Sequence, residues 1–488
     1  MKITKLTILL AYLTTGTFMV TAQQNEDKQA IDRISAYLQE SEKNGLTGAV
    51  LIARGDKVLY NEAFGMADKE KNVRNTTKTV FDIGSVSKQF TATAILKLEE
   101  QGKLKEEDPI SKFFKNLPED KKNITIHQLL IHSAGITQGI GNSDFDHISV
   151  NDYFKQLFAT KLLHQPGQKH EYSNAGYSIL ARIIELVSRQ SYESFLNEYL
   201  FLPAEMYHTG YLLPKWENCI LAKGYNYQVI NTGSMVSRYQ QDGKVSRVLL
   251  GNGGINSTQE DMFKWYLALR SNKVLSKSAT KKLTTPYILE FEGETSYYAY
   301  GWVIFKTPRG TNMVAHDGSN ATFFYDFRWF PEEDIVILYA TSSLTDSVSR
   351  IGWWVDKMFF DPTYTPKNIE VNFVSTLLDF AYHYKGAPNE LASSIKMKFG
   401  DKIDKPFYLS RLGGILSRNN KLDKAIIIAE LNIELFPNNS NIWDSLGQIY
   451  YSSGNKKKAL KAYKKAFALD SENSYAKDMV TKLESKNR

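Results

Sequence analysis

The sequence predicts a mixed α/β (α+β) fold, in which an antiparallel sheet is flanked by helices and accompanied by an all-helical domain. Strand-like segments fall into two separated groups, at 48–60 and 298–342, and Gly, Pro and Asp turns bound them. The long region between them carries apolar residues at helical spacing. After residue 400 the sequence repeats itself with a period of 34 residues, which is typical of an all-α helical repeat.

Length and composition favour a multidomain globular protein. The chain has 488 residues, so two or three domains are expected, and its 42% hydrophobic content allows a large core. The formal charge of +7 is a mild excess without a single basic arm, so it does not indicate nucleic-acid binding. Cys219 is the only cysteine, which excludes an intrachain disulfide and a cysteine-based metal cluster. The sequence gives no reason to expect a metal or a cofactor.

Residues 1–22 have the pattern of a signal peptide. Lys2 and Lys5 precede a mostly apolar stretch, and Ala22 supplies the small residue that a signal peptidase requires. We therefore expect an exported protein, periplasmic or secreted, that meets a membrane only if this segment stays uncleaved. The alternative is an uncleaved N-terminal anchor.

The first elements of the mature chain are a helix and a hairpin. An amphipathic pattern predicts a helix over 29–43. Two apolar segments, 48–53 and 57–60, then flank the turn Arg54-Gly55-Asp56, which predicts a β-hairpin.

The next segment carries the first chemical motif. Gly84 breaks the chain before a run without Gly or Pro that reaches Glu100, so Ser85 and Lys88 lie one helical turn apart. A serine hydroxyl becomes nucleophilic when a base lies at hydrogen-bond distance. Lysine is such a base when burial and the helix dipole lower its pKa.

Two polar stretches follow. His132 ends an apolar run before Gly135, and tying a loop to backbone carbonyls is favoured over a catalytic role. Tyr172 and Asn174 lie two apart in an extended piece before a helix predicted over 177–187, so both should face one side. A phenol near a buried lysine can relay protons, and an amide can orient a substrate carbonyl. The alternative is a core tyrosine beside a helix cap.

The last part of this domain is predicted to be a sheet. Gly251 to Gly254 precede a helix that Ser257 or Thr258 should cap, with Asp261 three residues after Thr258. Strands are predicted at 299–305, 313–316, 323–330 and 335–340. His316-Asp317-Gly318 stands at the predicted end of the second of these strands, and Gly318 would let a ligand approach the backbone.

Three motifs together resemble the serine β-lactamase and penicillin-binding-protein superfamily, in its class C, esterase and D-aminopeptidase-like branch. They are Ser85-Val86-Ser87-Lys88, Tyr172-Ser173-Asn174 and His316-Asp317-Gly318, in this order within residues 30–360. The resemblance implies an acyl-enzyme mechanism with Ser85 as nucleophile. It implies that Lys88 and Tyr172 share the acid and base work and that Asn174 holds substrate. The backbone N–H groups of Ser85 and Ser319 would form the oxyanion hole.

Departures from the family pattern bear on the substrate. Tyr172 and His316 stand where related members have Ser and Lys. His316 is mostly neutral at pH 7 and Asp317 is acidic, so a carboxylate clamp is weakened. If Asp317 faced the site it would repel a carboxylate, whereas in a regular strand it would point away from the side of His316. An ester or a D-amino-acid amide is therefore favoured over a β-lactam or a D-Ala-D-Ala peptide.

The predicted domains are a signal peptide (1–22), a hydrolase domain (23–361), linker and helices (362–400) and repeats (401–488). Leu412, Gly413 and Ala425 recur as the matched residues Leu446, Gly447 and Ala459, which resembles a tetratricopeptide repeat. Two copies need caps, either from the 366–400 helices or from 475–486. The repeats would offer a groove for a peptide or protein, or would serve as a buttress. The rival to a hydrolase is a catalytically silent peptidoglycan- or peptide-binding protein that acts through these repeats.

Overall fold

A computed structural model of the chain describes residues 3–370 and 372–485, with side chains described from residue 23 onward. The chain forms two compact units. The first comprises Met1–Asn226 with Ile230–Ile369, and the second comprises Tyr227–Val229 with Glu370–Arg488. The structure thus changes unit after Ile369, close to the predicted linker.

The first unit is built on one large sheet. Its strands are β1 (Gly48–Arg54), β2 (Lys57–Phe64), β9 (Ile288–Leu289), β10 (Tyr297–Tyr298), β11 (Val303–Lys306), β12 (Asn312–Asn320), β13 (Phe323–Phe330) and β14 (Ile335–Thr341). Neighbours pair antiparallel in the order β2-β1-β14-β13-β12-β11-β10-β9. The hairpin predicted at the start of the chain and the strands predicted after residue 298 thus belong to one sheet.

Six short strands form separate pairs. They are β3 (Met66–Asp68) with β4 (Val73–Arg74), β5 (Phe81–Asp82) with β8 (Asn256–Ser257), and β6 (Gly224–Asn226) with β7 (Ile230–Gly233). The pair of β5 and β8 is important for the site, because it joins the segment before Ser85 to the segment after the Gly251–Gly254 loop.

Helices cover both faces of the sheet. They are α1 (Ile3–Lys43), α2 (Lys88–Glu100), α3 (Ile126–Leu130), α4 (Val150–Ala159), α5 (Asn174–Ser188), α6 (Tyr192–Leu196), α7 (Met235–Asp242), α8 (Gln259–Arg270), α9 (Lys277–Leu283) and α10 (Ile351–Phe360). The predicted signal peptide lies outside the residues whose side chains are described. Across the described part of the chain, we find no helix with both the length and the apolar character of a membrane span.

Alternation along the central strands produces two cores. In β1, Leu51 packs into a core that contains residues of α2, α5 and α8, while Val50 and Ile52 pack into a second core with α1 and α10. Both faces of β1 and β14 are buried, so these strands are continuously apolar rather than alternating with polar residues. The first of these cores supports the candidate site.

The structure corrects three predicted boundaries. Residues 299–305 are not one strand, because the chain turns at Gly301, whose φ of +74° suits glycine, before β11 begins at Val303. The third motif lies inside β12 rather than at a strand end. The helix predicted over 177–187 already begins at Asn174, because the Ser173 side chain accepts a hydrogen bond from the N–H of Gly176 and caps it.

The second unit is helical. Its helices are α11 (Phe373–His383), α12 (Leu391–Phe399), α13 (Pro406–Arg418), α14 (Leu422–Leu435), α15 (Ser440–Ser452), α16 (Lys456–Leu469) and α17 (Ser474–Ser485). The pairs α13–α14 and α15–α16 are the two predicted repeat copies. Both candidate caps pack on them, since the Phe373 ring lies 5.0 Å from that of Tyr408 and the Tyr475 ring lies 6.2 Å from that of Tyr463.

Candidate active site

Ser85 lies on a tight turn between a buried strand and a helix. A 3-10 turn over Gly84–Ser87 leads directly into α2. The Asp82 carboxylate accepts a hydrogen bond from the Gly84 N–H at 2.6 Å, and burial raises the pKa of Asp82 to about 7. The Ser85 side chain is half-buried, whereas its neighbours on the turn are buried. Among the residues of this turn, Ser85 is therefore the one whose side chain is partly accessible to solvent.

Lys88 is fully buried and is held by three oxygen atoms. Its Nζ lies 3.0 Å from Ser85 Oγ, 2.8 Å from Asn174 Oδ1 and 2.7 Å from the Asn252 carbonyl oxygen. All three are neutral groups. Burial places the pKa of Lys88 well below its ordinary value, and the more distant carboxylates of Asp144 and Asp317 oppose this shift.

The carbonyl that contacts Lys88 belongs to a rigid loop, Gly251–Gly254. Each of its four successive carbonyl oxygens accepts a hydrogen bond from a buried side chain. The donors are Thr91 Oγ1 (2.6 Å), Lys88 Nζ (2.7 Å), Tyr211 Oη (2.8 Å) and Tyr239 Oη (3.0 Å), in chain order. A loop bonded at every carbonyl has little freedom to move, so it fixes the position of the lysine nitrogen.

Tyr172 lies beside the lysine. The centre of its ring is 4.8 Å from Lys88 Nζ. Burial raises the pKa of Tyr172, and hydrogen bonding to Ser85 partly opposes that rise, so the phenol is protonated at neutral pH. Tyr172 and Asn174 both lie beside Lys88 Nζ, although Asn174 is the first residue of α5 and not part of an extended segment. The Asn174 amide oxygen is engaged by Lys88.

The third motif contributes a neutral histidine. His316 Nδ1 lies 2.6 Å from the Asp317 carbonyl oxygen, so it carries the proton, and Nε2 accepts from the Tyr298 hydroxyl at 3.1 Å. Burial and the charge of Lys88 lower the pKa of His316 to about 3. Its ring centre lies 6.4 Å from that of Tyr172.

Two glycines bring β12 against the Ser85 turn. A Cβ on Gly318 would lie 2.3 Å from Ser85 N, and a Cβ on Gly84 would lie 2.6 Å from Ser319 N. Backbone atoms this close leave no room for any side chain at either position. The amide nitrogens of Ser85 and Ser319 therefore both lie where the turn contacts β12, which is consistent with the predicted oxyanion hole.

Asp317 lies on the other face of the strand, as the alternation predicted. It lines a cavity of about 430 Å³ with Asp326, Arg328 and Trp353. Asp317 pairs across the strands with Asp326, whose carboxylate accepts a hydrogen bond from Arg328 Nε at 2.8 Å. Burial raises the pKa of Asp317, and the charges of Arg328 and Lys88 act against this rise.

The structure brings all seven predicted site residues together: Ser85, Lys88, Tyr172, Asn174, His316, Gly318 and Ser319. Sequence reasoning missed the Asn252 carbonyl and Tyr298. The glycines beside Asn252 were a usable signal, because they indicate a close backbone approach. Nothing in the sequence singled out Tyr298 among 28 tyrosines.

Comparison with known proteins identifies the family. The Beta-lactamase family model matches residues 29–356, which is more than half of the chain, and a Tetratricopeptide repeat model matches residues 440–473. The chain therefore belongs to the β-lactamase family and carries a C-terminal tetratricopeptide repeat. Family membership supports a serine hydrolase-type function.

The similar proteins include penicillin-binding proteins. The chain is 34% identical over 289 residues to the putative penicillin-binding protein PbpX of Bacillus subtilis (strain 168), which covers 58% of this chain and 69% of that protein. The structure of a penicillin-binding protein from Bacillus halodurans matches with a TM-score of 0.55 at 24% identity. That match covers 65% of this chain and 98% of the Bacillus halodurans chain. An octameric penicillin-binding protein homologue from Pyrococcus abyssi matches with a TM-score of 0.59 at 24% identity. That match covers 71% of this chain and 81% of the homologue. These two structures share the fold.

Proposed function

We propose that this protein is an exported serine hydrolase that cleaves an ester or amide through an acyl-enzyme on Ser85. The observation that carries the proposal is the set of contacts around Lys88. A neutral lysine has two N–H groups and one lone pair. The Asn174 amide oxygen and the Asn252 carbonyl can only accept, so they occupy both N–H groups and leave the lone pair for the Ser85 hydroxyl. Lys88 is then the base that activates the nucleophile.

The proposed reaction begins with proton transfer from Ser85 Oγ to Lys88 Nζ as the serine oxygen attacks the substrate carbonyl carbon. The N–H groups of Ser85 and Ser319 stabilise the resulting oxyanion. Tyr172, whose phenol stays protonated, donates its proton to the leaving oxygen or nitrogen and regains one from the Lys88 ammonium. Water then attacks the acyl carbonyl, which releases the acid and restores Ser85.

The third motif favours substrates without a carboxylate at the reacting end. Burial keeps His316 neutral, so it offers no positive charge to an anionic group. Asp317 lies on the other face of β12, so the third motif places no cation in the site. We therefore propose an ester or a D-amino-acid amide as the substrate class, ahead of a β-lactam or a D-Ala-D-Ala peptide.

The test is intact mass after exposure to a fluorophosphonate probe, for wild type and Ser85→Ala. We expect one adduct on the wild type and none on the variant. Turnover of p-nitrophenyl esters, D-aminoacyl anilides and a chromogenic cephalosporin would then rank the substrates. Absence of an adduct in both proteins would favour the binding-protein alternative. Export is tested separately, by the N-terminal sequence of the protein recovered from the envelope or medium.

The binding alternative is supported by a groove within the second unit. It has a volume of about 510 Å³ and is lined by the first helix of each repeat copy, α13 and α15, including Phe407, Arg411 and Arg418. An extended peptide with acidic residues would suit this lining. Pull-down of peptides by the wild type, against Arg418→Glu, would test it. Binding unchanged by the charge reversal would count against the groove.

A further inference from the structure

His132 contacts the chain on both sides of Tyr172. Its carbonyl oxygen accepts a hydrogen bond from the N–H of Glu171 at 2.7 Å. Its ring nitrogen Nδ1 accepts a second from the N–H of Ser173 at 3.1 Å. One residue thus holds the backbone immediately before and immediately after the phenol.

The imidazole ring also lies against the phenol itself. The two ring centres are 4.2 Å apart with the planes inclined by 38°. The rings of Tyr298 and Tyr177 pack on the same histidine at 4.5 and 5.0 Å. The Tyr172 ring is therefore packed against an aromatic group, and His132 is the member of that group that also hydrogen-bonds the residues on either side of Tyr172.

The histidine is held in one chemical form. Since Nδ1 accepts from a backbone N–H, the ring proton is on Nε2. His132 is 1% exposed, and burial together with the charge of Lys88 places its pKa well below the ordinary value. A charged ring would lose the Nδ1 acceptor, so neutrality is required for the contact with Ser173.

The backbone of His132 lies in the left-handed region, with a φ of +55°. This conformation belongs to the end of α3, where the His132 N–H donates to the Leu129 carbonyl oxygen and the Ser133 N–H donates to the Gln128 carbonyl oxygen, as in a Schellman motif. His132 is thus fixed at the end of the helix, and from there its carbonyl oxygen and its ring reach the chain on both sides of Tyr172.

We propose that His132 is a positioning residue that fixes the Tyr172 phenol relative to Ser85 and Lys88. This inference rests on the proposed function, because Tyr172 must protonate the leaving group for its position to affect turnover. A histidine that merely fills the core would need neither an acceptor aimed at Ser173 nor a ring against the phenol.

Two variants test the proposal. His132→Gly removes the ring and the acceptor and suits the left-handed backbone, so it should fold. His132→Asn keeps an acceptor, because Oδ1 of Asn occupies the place of Nδ1, and Asn also tolerates this backbone. For ester turnover, we expect His132→Gly to lower kcat by about 10²-fold with KM within about twofold, and His132→Asn to recover most of the loss.

His170→Ala is the matched control. Its ring lies 5.8 Å from that of His132 in the same aromatic group but contacts neither backbone bond beside Tyr172. We expect wild-type kcat for this variant. A wild-type kcat in His132→Gly, or an equal loss in His170→Ala, would overturn the proposal.

A crystal structure of His132→Gly separates this proposal from the proposed function. We expect the Tyr172 ring to be displaced or disordered beside an unmoved Lys88. A phenol that keeps its wild-type position would refute the role of His132 whether or not the enzyme turns over an ester. A wild type without a fluorophosphonate adduct would instead refute the hydrolase function, while the displacement of Tyr172 would still decide the role of His132.

Discussion

Two fully buried basic side chains lie on opposite faces of the central sheet, and their surroundings differ. Lys88 lies in the core with α2, and its three closest oxygen atoms are neutral. Arg328, on the face of α10, donates to the carboxylates of Asp326 at 2.8 Å and Asp356 at 2.7 Å. Burial acts against both charges, but at Arg328 the two carboxylates outweigh it and the pKa is raised.

The comparison shows that burial alone does not distinguish a functional charge from a structural one. A cation among neutral acceptors gives up its proton readily and can serve as a base. A cation between carboxylates stays charged and acts in the fold, where removing it leaves two buried anions.

The largest expected effect is on activity, from Lys88→Met. Loss of the base should lower kcat for an ester by about 10³–10⁴-fold, while the free energy of unfolding changes little or rises because a buried amine is removed. Ester kinetics and urea unfolding measure the two effects. Lys97→Met, in the same helix, is the control and should keep wild-type kcat. A Lys88→Met protein that retained turnover would place the base elsewhere.

Arg328→Leu should give the largest effect on stability. Asp326 and Asp356 would be left buried without their cation, so we expect a loss of about 3–5 kcal/mol in the free energy of unfolding. Arg350→Leu, at an exposed arginine of the same cavity, should stay within about 0.5 kcal/mol of wild type. Urea unfolding monitored by tryptophan fluorescence gives both values. Equal stabilities would show that the carboxylates are protonated without Arg328.

The pH dependence of stability tests the same cluster. Burial raises the pKa of Asp356 to about 6, although Arg328 opposes the shift. A raised pKa means that this group stabilises the fold most below its ordinary pKa of about 4 and that this contribution is lost as pH rises to about 6. The loss amounts to at most about 3 kcal/mol. Urea unfolding at several pH values should show this fall, and Asp356→Asn should make the fall smaller by that amount.

The smallest expected effect is on the pH dependence of kcat/KM, from a substitution that places a carboxylate next to Lys88. Asn174→Asp would place an anion beside Nζ and raise the pKa of Lys88 by about one to three units. The base is active above its pKa, so the acid limb of kcat/KM should move to higher pH and kcat at pH 7 should fall by about 10- to 100-fold. Asn151→Asp, exposed on α4, adds the same charge and should leave the profile unchanged. An unmoved limb in both would show that Lys88 does not set the profile.

Much of the site could be predicted from the sequence, because local spacing determines it. Ser85 and Lys88 are one helical turn apart, and Tyr172 and Asn174 lie within two residues of each other at the start of α5. The third motif was recognised by its residues but was predicted at the end of a strand. In the structure β12 continues past the motif to Asn320, where it is still paired with β13. The residues from Asp317 to Asn320 have low strand propensity, so the sequence did not indicate this continuation.

The groups that contact Lys88 and Arg328 could not be predicted from the sequence. The Asn252 group that contacts Lys88 is a backbone carbonyl, which every residue has, so its role depends on the path of the loop. The Asp356 carboxylate accepts a hydrogen bond from Arg328. Asp356 lies on α10, which follows the last strand of the sheet in the chain. Contacts between charged groups on different helices and strands depend on tertiary packing, which cannot be read from a single sequence.

The contact between Gly84 and Gly318 has a consequence for biosynthesis. It joins segments far apart in the chain, so the loop-closure entropy must be overcome before the amides of Ser85 and Ser319 can meet. Such contacts form late in folding. A nascent chain that has already formed α2 would carry its serine in an inert state, and reactivity would arise when the last strands join. During refolding, fluorophosphonate labelling should therefore lag behind the recovery of helical circular dichroism.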